Sequence, residues 1–184
     1  MIATQALMII DVQNAIDDPK WGRRGQPGAE AAIAQLLAAW RERRLPVIHI
    51  RHDSTDPDSP YRPGTSGNEF KAEVAPQPGE PVVDKRTNNA FIGTDLMDVL
   101  DELQIGSLVV TGVLLENSVD ATVRMAANLG FEVTIAEDAV ASVNRTDHNG
   151  KTWAAEDVHA LTLSILDGEY ARISNSKAII EALP

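Results

Sequence analysis

The sequence predicts an α/β fold, a three-layer α/β/α domain on a six-stranded parallel sheet. Two observations carry the prediction. Short apolar runs bounded by turn residues recur along the 184 residues, without the polar/apolar alternation of strands that face water on one side. Segments with apolar residues at helical spacing separate them, and strands joined through helices pair in parallel. The length fits one domain, residues 1–184, large enough to bury its own core.

The run Ala-Leu-Met-Ile-Ile at 6–10 is the first strand, and it ends in Asp11-Val12-Gln13-Asn14. Residues 19–28 are polar with Pro and Gly, and read as loop. Between 29 and 43, Ile33, Leu36, Leu37 and Trp40 recur at helical spacing, while Glu30, Gln35, Arg41 and Glu42 stay polar. Pro46 marks the exit, and 47–50 is the second strand. Residues 52–79 are polar and interrupted by Pro57, Pro60, Pro63, Pro76 and Pro78. A loop of that length inside a compact domain shapes a site as a lid or carries short helices of its own. A third strand is expected at 81–83. A helix over 95–103 follows, with Thr94 as its N-cap and acidic residues in its first turn. Strand four lies at 108–110, a helix at 119–129 with Asn117 or Ser118 as cap, and strand five at 133–136. An amphipathic helix over 153–166 stops before Gly168, a sixth strand covers 170–173, and a helix at 177–183 ends the chain.

Composition narrows the class. Hydrophobic residues make up 43%, ordinary for a globular chain and far from the disordered regime. A net charge of -11 argues against nucleic acid or an anionic membrane as partner. No apolar run approaches a membrane span, and the N-terminus enters a strand instead of a signal peptide. The expectation is a cytoplasmic protein acting on a small molecule. Without cysteine, disulfides and thiolate metal sites are excluded.

In a parallel sheet the working site lies beyond the C-terminal strand ends, near a switch in strand order. Three residues fall there: Asp11 after strand one, Lys85 after strand three and Ser118 after strand four. Each also has a plain reading, as turn former, solvated charge and helix cap respectively. Trp21, Phe91 and Trp153 stand near loop starts and either wall a pocket or pack the core.

Longer motifs settle on a resemblance. The nucleophile-like segment holds Thr111-Gly112-Val113, Glu116, Val119, Ala121-Thr122-Val123-Arg124 and Leu129-Gly130-Phe131. With it come Asp11-Val12-Gln13, Pro63-Gly64-Thr65, Lys85 followed by Asn89-Ala90-Phe91 and Gly93-Thr94-Asp95-Leu96, Glu137-Asp138-Ala139, and Ala155-Glu156-Asp157-Val158-His159. In this order they resemble the isochorismatase-like hydrolases, or cysteine hydrolase superfamily, which includes nicotinamidases, N-carbamoylsarcosine amidohydrolase and streptothricin hydrolase. The similarity covers nearly the whole chain. It departs at the centre, where Ser118 stands in the place of the family's nucleophilic Cys.

The resemblance implies a Rossmann-like sheet and a hydrolase of small amides, ureas or related C–N bonds. Asp11 would be the general base, Lys85 the cation that orients it and stabilises the ionised nucleophile, and Ser118 the attacking group. It also implies a cis peptide at Val113–Leu114 that aims the Leu114 and Ser118 N–H groups into an oxyanion hole. Gln13, Asn89, Phe91 and Trp153 complete the expected substrate site. No cofactor is expected, and the unit is expected to form a homo-oligomer, a dimer or larger, through 140–144 or the late helix. Some nicotinamidases bind zinc in the region of His52 and Asp53, but the four histidines, at 49, 52, 148 and 159, show no close paired spacing, so no metal is expected. A hydroxyl needs a stronger base than a thiol, so turnover is expected to be slow or absent. Two alternatives stand beside this one: a Cys-less isochorismatase type that uses Asp11 as general acid on a vinyl ether, and a pseudoenzyme that binds without turnover.

Overall fold

In the computed structural model, which describes residues 4–184, six parallel strands form one sheet. They are β1 (Thr4–Ile10), β2 (Val47–His52), β3 (Val82–Lys85), β4 (Ile105–Val113), β5 (Glu132–Ala141) and, after a short hairpin, β8 (Arg172–Ser174). The hairpin pairs β6 (Arg145–Thr146) antiparallel with β7 (Thr152–Trp153). The sheet order is β3-β2-β1-β4-β5-β8. The chain winds outward from β1 in one direction, then returns to β4 on its other side and winds the opposite way. That reversal leaves a crevice beyond the ends of β1 and β4.

Five helices cover the sheet: α1 (Ala29–Glu42), α2 (Leu96–Glu102), α3 (Asp120–Asn128), α4 (Ala155–Leu166) and α5 (Ser176–Glu181). Alternate residues of β1 divide between two cores, as a strand's period of two requires. Leu7 and Ile9 pack with Ile33, Leu36, Leu37 and Trp40 of α1 and Ile179 of α5. Met8 and Ile10 pack with Leu96 and Leu100 of α2, Val123 and Ala126 of α3, and Leu163 and Leu166 of α4. Both faces are therefore dry, and this is why the strands read as unbroken apolar runs.

Three local differences from the sequence reading have physical causes. The helical run through Ser118 starts earlier than expected. Leu115–Val119 already form a wide π-type turn leading into α3, so neither Asn117 nor Ser118 is the cap, and Leu114 holds that place in extended conformation. Thr94 does not stand at the N-cap of α2, which Asp95 occupies, but its hydroxyl still accepts from the Leu96 N–H while donating to the Ala90 carbonyl. Trp153 belongs to the hairpin and not to α4, since Asn144 caps the Ala155 N–H and fixes the helix start there. The long segment after β2 carries two single 3₁₀ turns, Ser66–Asn68 and Ala72–Val74. Among the described residues, no helix is long and apolar enough to cross a membrane.

Candidate active site

The site begins with two backbone positions. Asp11 leaves β1 at φ 57°, in the left-handed region that Asp tolerates better than most residues. Its N–H donates to the Ile50 carbonyl and its own carbonyl accepts from the Gln13 N–H, so the turn is held on both sides. Across the strand pair, Gly112 stands opposite Ile10 at φ 125°. A Cβ there would run into the Ile10 backbone, so only glycine lets β4 pass this close to the origin of Asp11.

Lys85, the last residue of β3, reaches this point from two strands away. Its side chain is 0% exposed. The ammonium donates to Asp11 Oδ2 at 2.7 Å, to the Thr87 carbonyl at 3.1 Å and to Ser118 Oγ at 3.2 Å. An ammonium has three N–H bonds, and each has one acceptor here. Ser118 Oγ is thus an acceptor from Lys85, and its own proton is left for another partner. Asp11 Oδ1 is enclosed and has none. Ser118 itself is 6% exposed and sits at the start of the helical run, where unsatisfied N–H groups and the dipole favour negative charge.

A cavity of about 350 Å³ opens over these groups. Asp11, Val113, Leu114, Asn117 and Ser118 line one side, and the Val113–Leu114 peptide is cis. Trp21, Tyr61 and His52 form an aromatic wall, with ring centroids 6.0 Å apart for the first pair and 5.6 Å for the second, both edge to face. Burial pushes the Tyr61 phenol well up from its ordinary value, with Asp11 adding to the effect, so it stays a neutral hydroxyl. Ser54, Asp56 and Ser59 line the rim from the long loop after β2, and Lys20 and Asn88 join them. The size is at the lower end for ligand pockets and suits a small molecule.

The isochorismatase domain family matches residues 5–165, most of the chain. The chain belongs to the isochorismatase family of hydrolases. Its architecture matches a solved isochorismatase-family structure from Chromobacterium violaceum ATCC 12472, at TM-score 0.94 and 54% identity over 97% of this chain and 93% of that one. An uncharacterised isochorismatase family protein of Bacillus subtilis (strain 168), YrdC, is 38% identical over 176 residues, 96% of this chain and 94% of its own. A ureidoacrylate amidohydrolase of Variovorax paradoxus (strain S110), RutB, is 28% identical over 169 residues, 73% of this chain and 67% of its own.

Within this isochorismatase-family site, Asp11, Lys85 and Ser118 converge and Leu114 stands beside Ser118. The other four expected substrate residues do not line the cavity, and each is engaged elsewhere. Gln13 is fully buried; its amide accepts the His52 N–H and donates to the His52 and Asn68 carbonyls, tying β1 to the long loop. Asn89 donates to the Ala121 carbonyl and accepts the Phe91 N–H, so it pins the loop after β3 to α3. Phe91 stacks on Phe131 at 6.2 Å. Trp153 lies 40% exposed on the hairpin, where its indole N–H donates to Asp147 and Lys151 stands over its ring.

His52 and Asp53 do not gather a metal set: among the described residues, no cluster of three or more His, Asp or Glu side chains is placed to hold an ion. His52 and Tyr61 of the aromatic wall, and Lys20, Ser54, Asp56, Ser59 and Asn88 around it, are cavity residues that sequence reasoning missed as site groups. The only signal for Ser54, Asp56, Ser59 and Tyr61 was the length and proline content of the loop that carries them. Glu116, two residues before Ser118, takes the Arg145 guanidinium at 2.8 Å and so braces the Leu115–Val119 turn against β6.

Proposed function

We propose that this chain hydrolyses a small amide, urea or related C–N bond through Asp11, Lys85 and Ser118. The observation that carries the reading is the placement of all three Lys85 N–H bonds, which makes Ser118 Oγ an acceptor beside a buried carboxylate. The amidohydrolase name of one relative supports the choice of a C–N bond.

In the forward step Ser118 Oγ attacks the substrate carbonyl carbon and Asp11 takes the hydroxyl proton. The carbonyl π electrons move onto oxygen, where the Leu114 and Ser118 N–H groups receive the charge. Collapse breaks the C–N bond, and Asp11 returns its proton to the leaving nitrogen. Water then attacks the ester on Ser118, with Asp11 as base, and releases the acid. Lys85 holds the Asp11 carboxylate in place and lowers the cost of charge on Oγ. Because an alcohol ionises far less readily than a thiol, turnover is slow.

The deciding experiment is intact-mass analysis after incubation with an amide panel. An acyl adduct on Ser118 that disappears in Ser118→Ala and fails to form in Asp11→Asn supports the reading. Hydrolysis of a vinyl-ether probe, run beside the panel, that survives Ser118→Ala but needs Asp11 would replace it with direct acid catalysis on a vinyl ether. Binding of panel members with no turnover in any form would make the chain a pseudoenzyme. We also propose that the unit self-associates through α4, where Leu161 and Ile165, one turn apart, are 59% and 49% exposed. Light scattering at micromolar concentration tests this, and a monomer ends it.

A further inference from the structure

His52 closes β2, and its backbone is fixed from both directions. The Gln13 amide holds its N–H and its carbonyl, and the Asn68 amide holds the carbonyl as well. Tyr61 meets the imidazole edge to face. Three charged groups act on the ring: Asp11, Lys85 and Asp53. Burial pushes the imidazolium down from its ordinary 6.5; Asp11 and Asp53 oppose this, and Lys85 adds to it. The ring is therefore neutral at pH 7 and carries one N–H.

Which nitrogen bears the hydrogen follows from the surroundings. Nδ1 is enclosed and has no partner. A buried N–H without an acceptor is rarer in folded proteins than an unpaired lone pair. The hydrogen belongs on Nε2, the ring nitrogen left for the cavity that His52 lines together with Asp11 and Ser118. A neutral, rigidly mounted donor thus stands in a cavity whose nucleophile already has its own partners.

We infer that His52 is a substrate-contacting, specificity-determining residue whose Nε2–H donates to a second acceptor oxygen of the substrate. The ligand class is a small amide or ureide with a further carbonyl a few bonds from the scissile one. This rests on the hydrolytic reading of Ser118 given above.

The probes are 3-oxobutanamide and butanamide, which differ by one ketone oxygen. Binding is followed by NMR titration in the Ser118→Ala protein, where no turnover interferes. The ketoamide is expected to bind about fivefold to tenfold more tightly, the size of one neutral hydrogen bond. The His52 Nε2 resonance should move with it and not with butanamide. His52→Leu should erase the preference, and His52→Gln, which keeps an N–H donor, should restore most of it. The glutamine form also answers the case in which the leucine form misfolds. Equal binding of the two amides, a preference that survives His52→Leu, or no response of any cavity residue to either amide overturns the inference. Acyl-adduct formation in the unsubstituted protein is scored separately. A preserved ketoamide preference without an adduct would remove the hydrolytic step and leave the His52 contact standing.

Discussion

Asp11 and Lys85 stand 74 positions apart in the chain, yet the Lys85 ammonium lies 2.7 Å from Asp11 Oδ2 and out of contact with solvent. The pair joins the end of β1 to the end of β3 across the intervening β2. Its energetics are asymmetric: neither charge tolerates losing the other, because the survivor stays buried without compensation.

Lys85→Met should therefore destabilise the fold by about 3–5 kcal/mol in urea melts. The double substitution Asp11→Asn with Lys85→Met should cost clearly less than Lys85→Met alone, since no bare charge remains. A single variant within about 1 kcal/mol of the parent would contradict a buried ion pair.

Ser118→Cys should place a thiol beside Lys85 at the start of a helical run, two features that depress a thiol pKa. The variant should react with iodoacetamide at about pH 6 faster than free cysteine does, and Lys85→Ala should slow it. Amide hydrolysis should rise with the same substitution and vanish again on adding Asp11→Asn. An unreactive thiol would mean that the three groups do not act together.

Gly112→Ala should be among the most damaging single-methyl changes in the molecule. The new Cβ would meet backbone, which has nowhere to go, and the residue would also have to hold φ at 125°. A loss of several kcal/mol, or failure to express in soluble form, is expected. A normal melt with normal Ser118 reactivity would mean that β1 and β4 can part without harm.

Acid stability should depend on a second buried group. His49 Nε2 lies 2.9 Å from Glu80 Oε2, and Arg41 grips the same carboxylate at 2.7 and 2.8 Å. Burial pushes the Glu80 carboxyl up, but the bonds from Arg41, the Gln77 N–H and His49 outweigh it and hold it at about 2. Burial also pushes the His49 imidazole below its ordinary 6.5, against the pull of Glu80. Both folded values lie below the unfolded ones, so the unfolded chain binds more protons and stability falls with falling pH. His49 contributes to the loss below about 6.5, and Glu80 contributes from about 4.5 down to about 2. Urea midpoints at pH 7, 5 and 3 should show this. Glu80→Gln should flatten the fall between pH 5 and 3, and an unchanged slope would exclude Glu80 as its source.

What the sequence could convey depended on how local each signal was. Unbroken apolar runs announced the central strands, and β1, β2, β4 and β5 stand where those runs lie. That Asp11, Lys85 and Ser118 converge could be expected from their places at strand ends on one edge of a parallel sheet together with the family resemblance. Gln13, Asn89, Phe91 and Trp153 do not line the cavity, because residue type near a site does not say which way a side chain turns. Gln13 spends its amide on backbone groups 39 and 55 positions away, a pairing that no local pattern records. His52 was weighed only as a metal ligand, since its packing on Tyr61, nine positions further along the same loop segment, is not recorded by any local pattern. The early start of the helical run at Leu115 was hidden as well, because cap preferences favour Asn and Ser over Leu.

β3 has four residues and lies at the margin of the sheet, bonded to β2 alone. Strands in that position open locally at lower free-energy cost than central ones. The ammonium that Ser118 Oγ accepts from is thus mounted on a marginal strand, while Asp11 and Ser118 follow the two most interior strands. On warming, Lys85 should withdraw while the remaining five strands still hold. Inactivation would then precede melting, and would reverse on cooling.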